Sequence, residues 1–255
     1  MTIMKRLVLF ISLCLSASAY SSIALFEHTQ AVNQAMSALY MQGLSEGNQK
    51  YERDLDFYKQ KASTSLDAYS KEDPKQAAKL KVSWDNLKDV IITTYSRDYG
   101  WDTDAVVRRD LRDYQTDLYE LAVNKKSANP SEQEKYHFAL LQLECIVARF
   151  YDIASNIVGK LSLSNTESKI LNPVTVSNEF KATLQSIIDR SNNPGLVKSI
   201  ISAQYKWEFI EGSVVTYSDQ SAHFLVYATK KKIKEVLESG INQISQVAQN
   251  DSLSE

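Results

Sequence analysis

The sequence predicts an all-α protein in which long amphipathic helices form two tandem four-helix-bundle modules. Three observations lead there. The 255-residue chain contains only 7 Gly and 4 Pro, too few breakers for a strand-and-turn protein. Apolar residues recur at alternating intervals of four and three along most of its length. A tryptophan-centred segment also occurs twice, as KVSWDNLKDVIITTYSRD (81–98) and as YKWEFIEGSVVTYSD (205–219).

The first 19 residues are read as a signal peptide. Lys5 and Arg6 precede the apolar run LVLFISLCL, and Ala17-Ser18-Ala19 has the pattern of a cleavage site. The run is too short for a permanent membrane anchor, and no later segment approaches spanning length. The expected location is therefore periplasmic, or secreted. Loss of Lys5 and Arg6 leaves 27 of the 29 basic residues against 31 acidic ones, a net charge of −4. That balance argues against general nucleic-acid binding. Cleavage also removes Cys14, so Cys145 remains as a lone thiol within LLQLECIVARF. A buried structural cysteine is expected there.

Module 1 is expected over residues 26–126. Val32, Met36, Leu39 and Tyr40 form one stripe, and Tyr51, Leu55, Tyr58, Ala62, Leu66 and Tyr69 another, with Gly43 and Gly47 between them. Asp73-Pro74 supplies a cap and a first-turn proline. Leu80, Trp84, Leu87, Ile91 and Tyr95 follow, until Tyr99-Gly100-Trp101-Asp102 breaks the pattern. Asp102 or Thr103 then caps a helix carrying Val107, Leu111, Tyr114, Leu118 and Leu121. Its charged residues, Arg108, Arg109, Asp110, Arg112 and Asp113, read as solvated pairs. No alternating strand pattern competes with these helices.

Module 2 is expected over residues 130–248, after the linker KKSAN. Tyr136, Leu140, Leu143, Val147, Phe150, Ala154 and Ile157 give the most regular stripe in the chain, ended by Gly159. Lys160 to Thr175 reads as a loop. Ser177 caps a short helix with Phe180, Leu184 and Ile187, and Asn192-Asn193-Pro194-Gly195 is a turn. Leu196, Ile200, Ala203, Trp207, Ile210, Val214 and Tyr217 form the next stripe. Ser218 or Ser221 opens a last helix through Phe224, Leu225, Ala228, Ile233 and Val236, and residues 249–255 read as a disordered tail. Between the modules, Trp84 and Trp207 lie 123 residues apart, as do Phe57 and Phe180. The element order is the same in each half. One elongated bundle with the halves end to end is the other arrangement that such stripes allow.

Nothing in the sequence points to catalysis. His28, His137 and His223 are far apart and lack metal-ligand spacing, and the nucleophile-elbow, P-loop and dinucleotide motifs are missing. No metal or cofactor is expected. Binding residues are sought among the 14 tyrosines, whose hydroxyls can line a ligand site between helices. Arg149 interrupts an apolar helix and can hold an anion, or pair with Asp152 or Glu144 at the surface. The run Lys230-Lys231-Lys232, with Lys234, is a basic patch open to an acidic partner or phospholipid, or a solvated helix end. The candidate ligand-binding residues are Trp84, Tyr95, Arg149, Tyr151, Trp207 and Tyr217, with the clefts beside the two tryptophans as the expected sites.

The segments LECIVARFYDIASNI, NEFKATLQSII, YKWEFIEGSVV and AHFLVYATKKKIKEVL, in this order, resemble the N-terminal sensor domain of type IV pili methyl-accepting chemotaxis transducers, the PilJ-type domain. That module is related to the periplasmic sensor region of NarX-type nitrate kinases. The resemblance covers about Tyr136 to Ser239, and more loosely His28 to Ala122. Family members continue into a transmembrane helix and a signalling region, and their usual R-M-x-x-Q run reads here as Ile146 to Tyr151, so no binding residue is carried over. The resemblance implies a non-enzymatic sensory or adaptor module. Its partners would be a small molecule, a membrane transducer or surface-apparatus protein, or a second copy in a homodimer. The alternative is a structural protein that packs its helical stripes against a partner or itself and holds no small ligand.

Overall fold

The computed structural model describes residues 2–98, 100–156, 171–217 and 222–253, the side chains of 2–22, 248 and 250–253 excepted. The expected all-α fold is what it shows. Helices α1 (Thr2–Leu44), α2 (Gln49–Ser70), α3 (Pro74–Lys88) and α4 (Ala105–Lys125) make up the first half. Helices α5 (Glu132–Ala154), α6 (Pro173–Arg190), α7 (Pro194–Thr216) and α8 (His223–Leu253) make up the second. Six of these starts carry an Asn, Asp or Ser whose side chain accepts a backbone N–H of the first turn: Asn48, Asp73, Asp104, Ser131, Asn172 and Asn193. Each satisfies a donor that the helix itself cannot.

α1 and α5 lie side by side at the centre. α2 and α4 flank α1, and α6, α7 and α8 pack against α5. This placement explains a departure from simple amphipathicity. From Ala24 to Gln42, α1 is buried on every side apart from the partly exposed Glu27. α5 is buried from Glu134 to Ile153 except at Arg149. Polar residues on these two helices must therefore find partners inside the protein. Gln30 donates to the His137 carbonyl at 2.7 Å, and Asn33 to the Cys145 sulfur at 3.2 Å. Gln115 of α4 reaches Asn33 Oδ1. Cys145 is fully buried, and burial pushes its thiol well above the usual range.

The two tryptophans occupy corresponding places. Trp84 of α3 donates its indole N–H to Ser63 of α2 at 2.9 Å, and Trp207 of α7 donates to Ser177 of α6 at 3.1 Å. Both indoles are in the core, at 1% and 0% exposure. The pairing of Phe57 with Phe180 does not hold. Phe180 is buried edge-on to Trp207, whereas Phe57 is 61% exposed. Trp84 instead stacks on Tyr114 and meets the edge of His28.

Several local expectations are corrected. The stripe through Ile91 and Tyr95 stops being helical after Lys88. The β-branched run beyond it forms a short antiparallel hairpin, β1 (Thr94–Ser96) with β2 (Gly100–Asp102), in which Tyr95 faces Trp101. Trp101 lies over Gly47, whose φ is +81° and where a Cβ would stand 2.3 Å from the ring, so glycine is required twice over. Asp104, not Asp102 or Thr103, caps α4. Asn172, not Ser177, caps α6. Ser177 lies inside α6, where its hydroxyl serves Trp207 and Glu211.

α8 is helical to Leu253 rather than ending near Gln249, and its buried face is Val226, Ile233 and Leu237. Phe224, Leu225 and Ala228 point to solvent. Gly240 of this helix sits against the Tyr136 ring, where a Cβ would come within 2.1 Å. The proposed ends at Ile157 and Gly159, most of the loop from Lys160, and the openings at Ser218 or Ser221 lie outside the described residues. Among the described residues, no helix is long and apolar enough to cross a membrane.

Candidate functional site

A cleft of about 290 Å³ runs between α1, α2 and α8. Its floor is Gln34, Ser37 and Ala38 of α1. Two hydrogen bonds cross it in opposite senses. Lys50 of α2 donates to the Tyr227 hydroxyl of α8 at 3.1 Å, and Lys234 of α8 donates to the Tyr58 hydroxyl of α2 at 3.3 Å. Each ammonium also lies over a ring, Lys50 4.7 Å from the Tyr227 centroid and Lys234 5.2 Å from that of Tyr58. Tyr51 meets Tyr227 edge-on at 5.4 Å. The spacing of one helical turn or two along α2 and α8 places these residues on facing sides.

Beneath the floor lies a buried ion pair. Glu144 of α5 has no solvent exposure and holds Lys230 at 2.7 Å through one oxygen. Its other oxygen accepts the Gln34 amide N–H at 3.0 Å. Burial raises the Glu144 carboxyl, but Lys230, Lys234 and the Gln34 amide outweigh it and bring the group below the usual carboxylate range. Burial likewise opposes the Lys234 charge, while Glu144 and Tyr58 outweigh it, so Lys234 titrates above an ordinary lysine. The Gln34 orientation is set by Glu144, because its carbonyl oxygen facing a carboxylate would be repulsive. That leaves Gln34 Oε1, together with Ser37 Oγ, buried without a hydrogen-bond partner in the protein. Such orphans in the wall of a cleft mark a place where a ligand completes the bonding.

A second charged cluster joins α4 to α5. Asp152, fully buried, receives Arg108 at 3.1 Å, Arg112 at 2.5 Å and Arg149 at 3.5 Å. Arg108 also reaches Asp102 at 2.5 Å and Ser155 at 3.0 Å, and lies over the Tyr40 ring. Arg108 and Arg112 are thus internal ties, not solvated charges. Arg109 does pair with Asp110 in solvent. Arg149 pairs with Asp152 as one of the two partners read from the sequence, but in the protein interior. Tyr217, which ends α7 in a left-handed conformation at φ 53°, interacts with Arg149.

Of the six residues singled out in the sequence, only Arg149 and Tyr217 come together. Trp84 and Trp207 are core residues on opposite halves, and Tyr95 is 65% exposed on the hairpin. Tyr151 is buried on the side of α5 near Glu144, and its hydroxyl has no partner. The cleft between α1, α2 and α8 is lined by none of the six. It does use three tyrosines of the helical stripes, Tyr51, Tyr58 and Tyr227, and splits the basic run. Lys230 turns inward to Glu144, whereas Lys231 and Lys232 stay exposed. Gln34, Ser37 and Glu144 were missed. The available signal was a carboxylate inside LLQLECIVARF and two polar residues inside an otherwise apolar helix. Among the described residues, no group of His, Cys, Asp and Glu could hold a metal ion. No family model, curated protein or solved structure matches the chain.

Proposed function

We propose that this protein is a non-enzymatic, exported helical-bundle protein that recognises a small ligand in the cleft between α1, α2 and α8. The observation that carries the reading is the floor of that cleft. Gln34 Oε1 and Ser37 Oγ are buried and unpartnered beside a buried Glu144–Lys230 pair. Unpaired buried polar atoms cost about 1–3 kcal/mol each, and a ligand that bonds to them recovers that cost on binding. The resemblance to PilJ-type sensor domains supports a sensory or adaptor role, in which a separate membrane transducer or surface-apparatus protein relays occupancy. The signal-peptide pattern at residues 1–19 supports export.

The test is a thermal-shift screen of small anions, amino acids, sugars, nucleotides and quinones. A ligand bound only by the native state adds about 2.7 kcal/mol at a hundred times its dissociation constant. One class raising the melting temperature in the native protein, but not in a Gln34→Leu/Ser37→Ala variant, is the expected result. A flat response across the panel overturns the reading.

One observation favours the alternative of a protein that packs against a partner or itself. Tyr205 and Phe209, one turn apart on α7, are each 68% exposed. A concentration-dependent mass in light scattering that Tyr205→Ser/Phe209→Ser abolishes is the signature of that reading.

A further inference from the structure

We infer that the ligand of the α1–α2–α8 cleft is a small zwitterion of the free amino-acid class, carrying one carboxylate and one ammonium. The inference rests on the reading of this cleft as a ligand site.

Charge balance is the first argument. The lining holds four lysines, at 50, 230, 231 and 234, and three carboxylates, Asp54, Glu235 and Glu238, with Glu144 directly beneath. Formal charges therefore cancel. A site for a phosphate or polycarboxylate carries an excess of cations, and a site for an amine carries an excess of anions. Neither excess is present, yet both signs are concentrated on facing walls.

The unused bonding capacity is the second. Lys50 and Lys234 each spend one N–H on a tyrosine hydroxyl, and an ammonium has three to give. Both therefore keep donors for a carboxylate lying between the two crossing hydrogen bonds. Asp54 stands on α2 between Lys50 and Tyr58 and makes no ion pair among the described residues. Gln34 Oε1 can only accept. Asp54 and Gln34 thus ask for an N–H-bearing group on the ligand. A simple anion leaves them unmet, and a simple amine leaves the lysines unmet.

Size and walls are the third. A volume of about 290 Å³ lies at the small end for ligand pockets. The Tyr51, Tyr58 and Tyr227 rings offer apolar surface for a modest side chain.

The experiment is titration calorimetry and melting of the purified protein with free L-alanine, L-leucine, L-glutamine and L-phenylalanine. Acetate, 3-methylbutyrate, isobutylamine, inorganic phosphate and glucose are run beside them. At least one amino acid should bind. Omitting its ammonium or its carboxylate should weaken binding by about tenfold or more, as should Asp54→Asn and Ser37→Ala, since each removes a hydrogen bond to a charged group. Both substitutions are at positions that make no ion pair, so unchanged melting without ligand separates lost binding from lost folding. Binding of phosphate, glucose or a half-analogue as tightly as any amino acid overturns the zwitterion and leaves the ligand site standing. No binding by any probe overturns both.

Discussion

Lys230 of α8 places its ammonium 2.7 Å from Glu144 of α5, and neither side chain is more than 8% exposed. The pair ties the last helix to the central one directly under the cleft. Removing one partner of a buried pair strands a charge, whereas replacing both with apolar groups does not. Glu144→Leu should therefore destabilise the protein by about 3–5 kcal/mol in chemical denaturation. Glu144→Leu/Lys230→Met should recover most of that loss. A double variant as unstable as the single one would contradict this account of the pair.

The Asp152 cluster predicts an asymmetry. Asp152 serves three guanidiniums, of which Arg149 is the most distant at 3.5 Å. Asp152→Ala leaves Arg108 and Arg112 facing each other in the interior and should cost about 3–5 kcal/mol. Arg149→Ala should cost about 1 kcal/mol or less, the scale of a long, peripheral pair. Equal losses in urea denaturation would refute this ranking.

The tryptophans are expected to act through stability alone. Trp84→Ala and Trp207→Ala should each cost about 3–5 kcal/mol by cavity formation. Ser63→Ala and Ser177→Ala should each cost about 1 kcal/mol by removing the indole's acceptor. Binding to the cleft by the serine variants should match that of the native protein, because the cleft touches neither serine.

His28 predicts a pH dependence. Its Nδ1–H donates to the Ala62 carbonyl at 2.8 Å, so Nε2 accepts the Tyr114 hydroxyl, also at 2.8 Å, and the ring is neutral. Burial lowers its pKa to about 4, and does the same for His137. The unfolded chain takes up these protons near pH 6.5, ahead of the folded one. The stability contributed is whole above pH 6.5 and is lost as pH falls toward 4, by about 1.4 kcal/mol per unit for each ring. Unfolding free energies of His28→Gln and His137→Gln across that window should each show a shallower acid slope than the native protein. An unchanged slope would show that the rings do not titrate on unfolding.

Gly240 predicts a steric limit. A Cβ there would enter the Tyr136 ring, so Gly240→Ala should lower stability by about 1–3 kcal/mol through overpacking, despite its better helix propensity. Gly240→Ala/Tyr136→Leu should restore part of it, measured by thermal denaturation.

Sequence alone determined the helical class, since four-three stripes survive whatever the helices pack against. It determined Asp73 as the cap of α3 and the buried thiol of Cys145. It also placed both tryptophans on apolar stripes, in each case through residues within a few positions of one another. Only the tertiary structure decided which stripes face each other. Lys50 meets Tyr227, and Tyr58 meets Lys234, across more than 170 residues, and no local spacing encodes such a meeting. Periodicity also reports the contrast between a wet face and a dry one. α1 and α5 have almost no wet face, so Gln34, Ser37 and Glu144 stood out only once the neighbouring helices were in place. Arg108 and Arg112 misled for the same reason. A charge on a helix reads as solvated until a buried carboxylate, here Asp152 from another helix, is found opposite it.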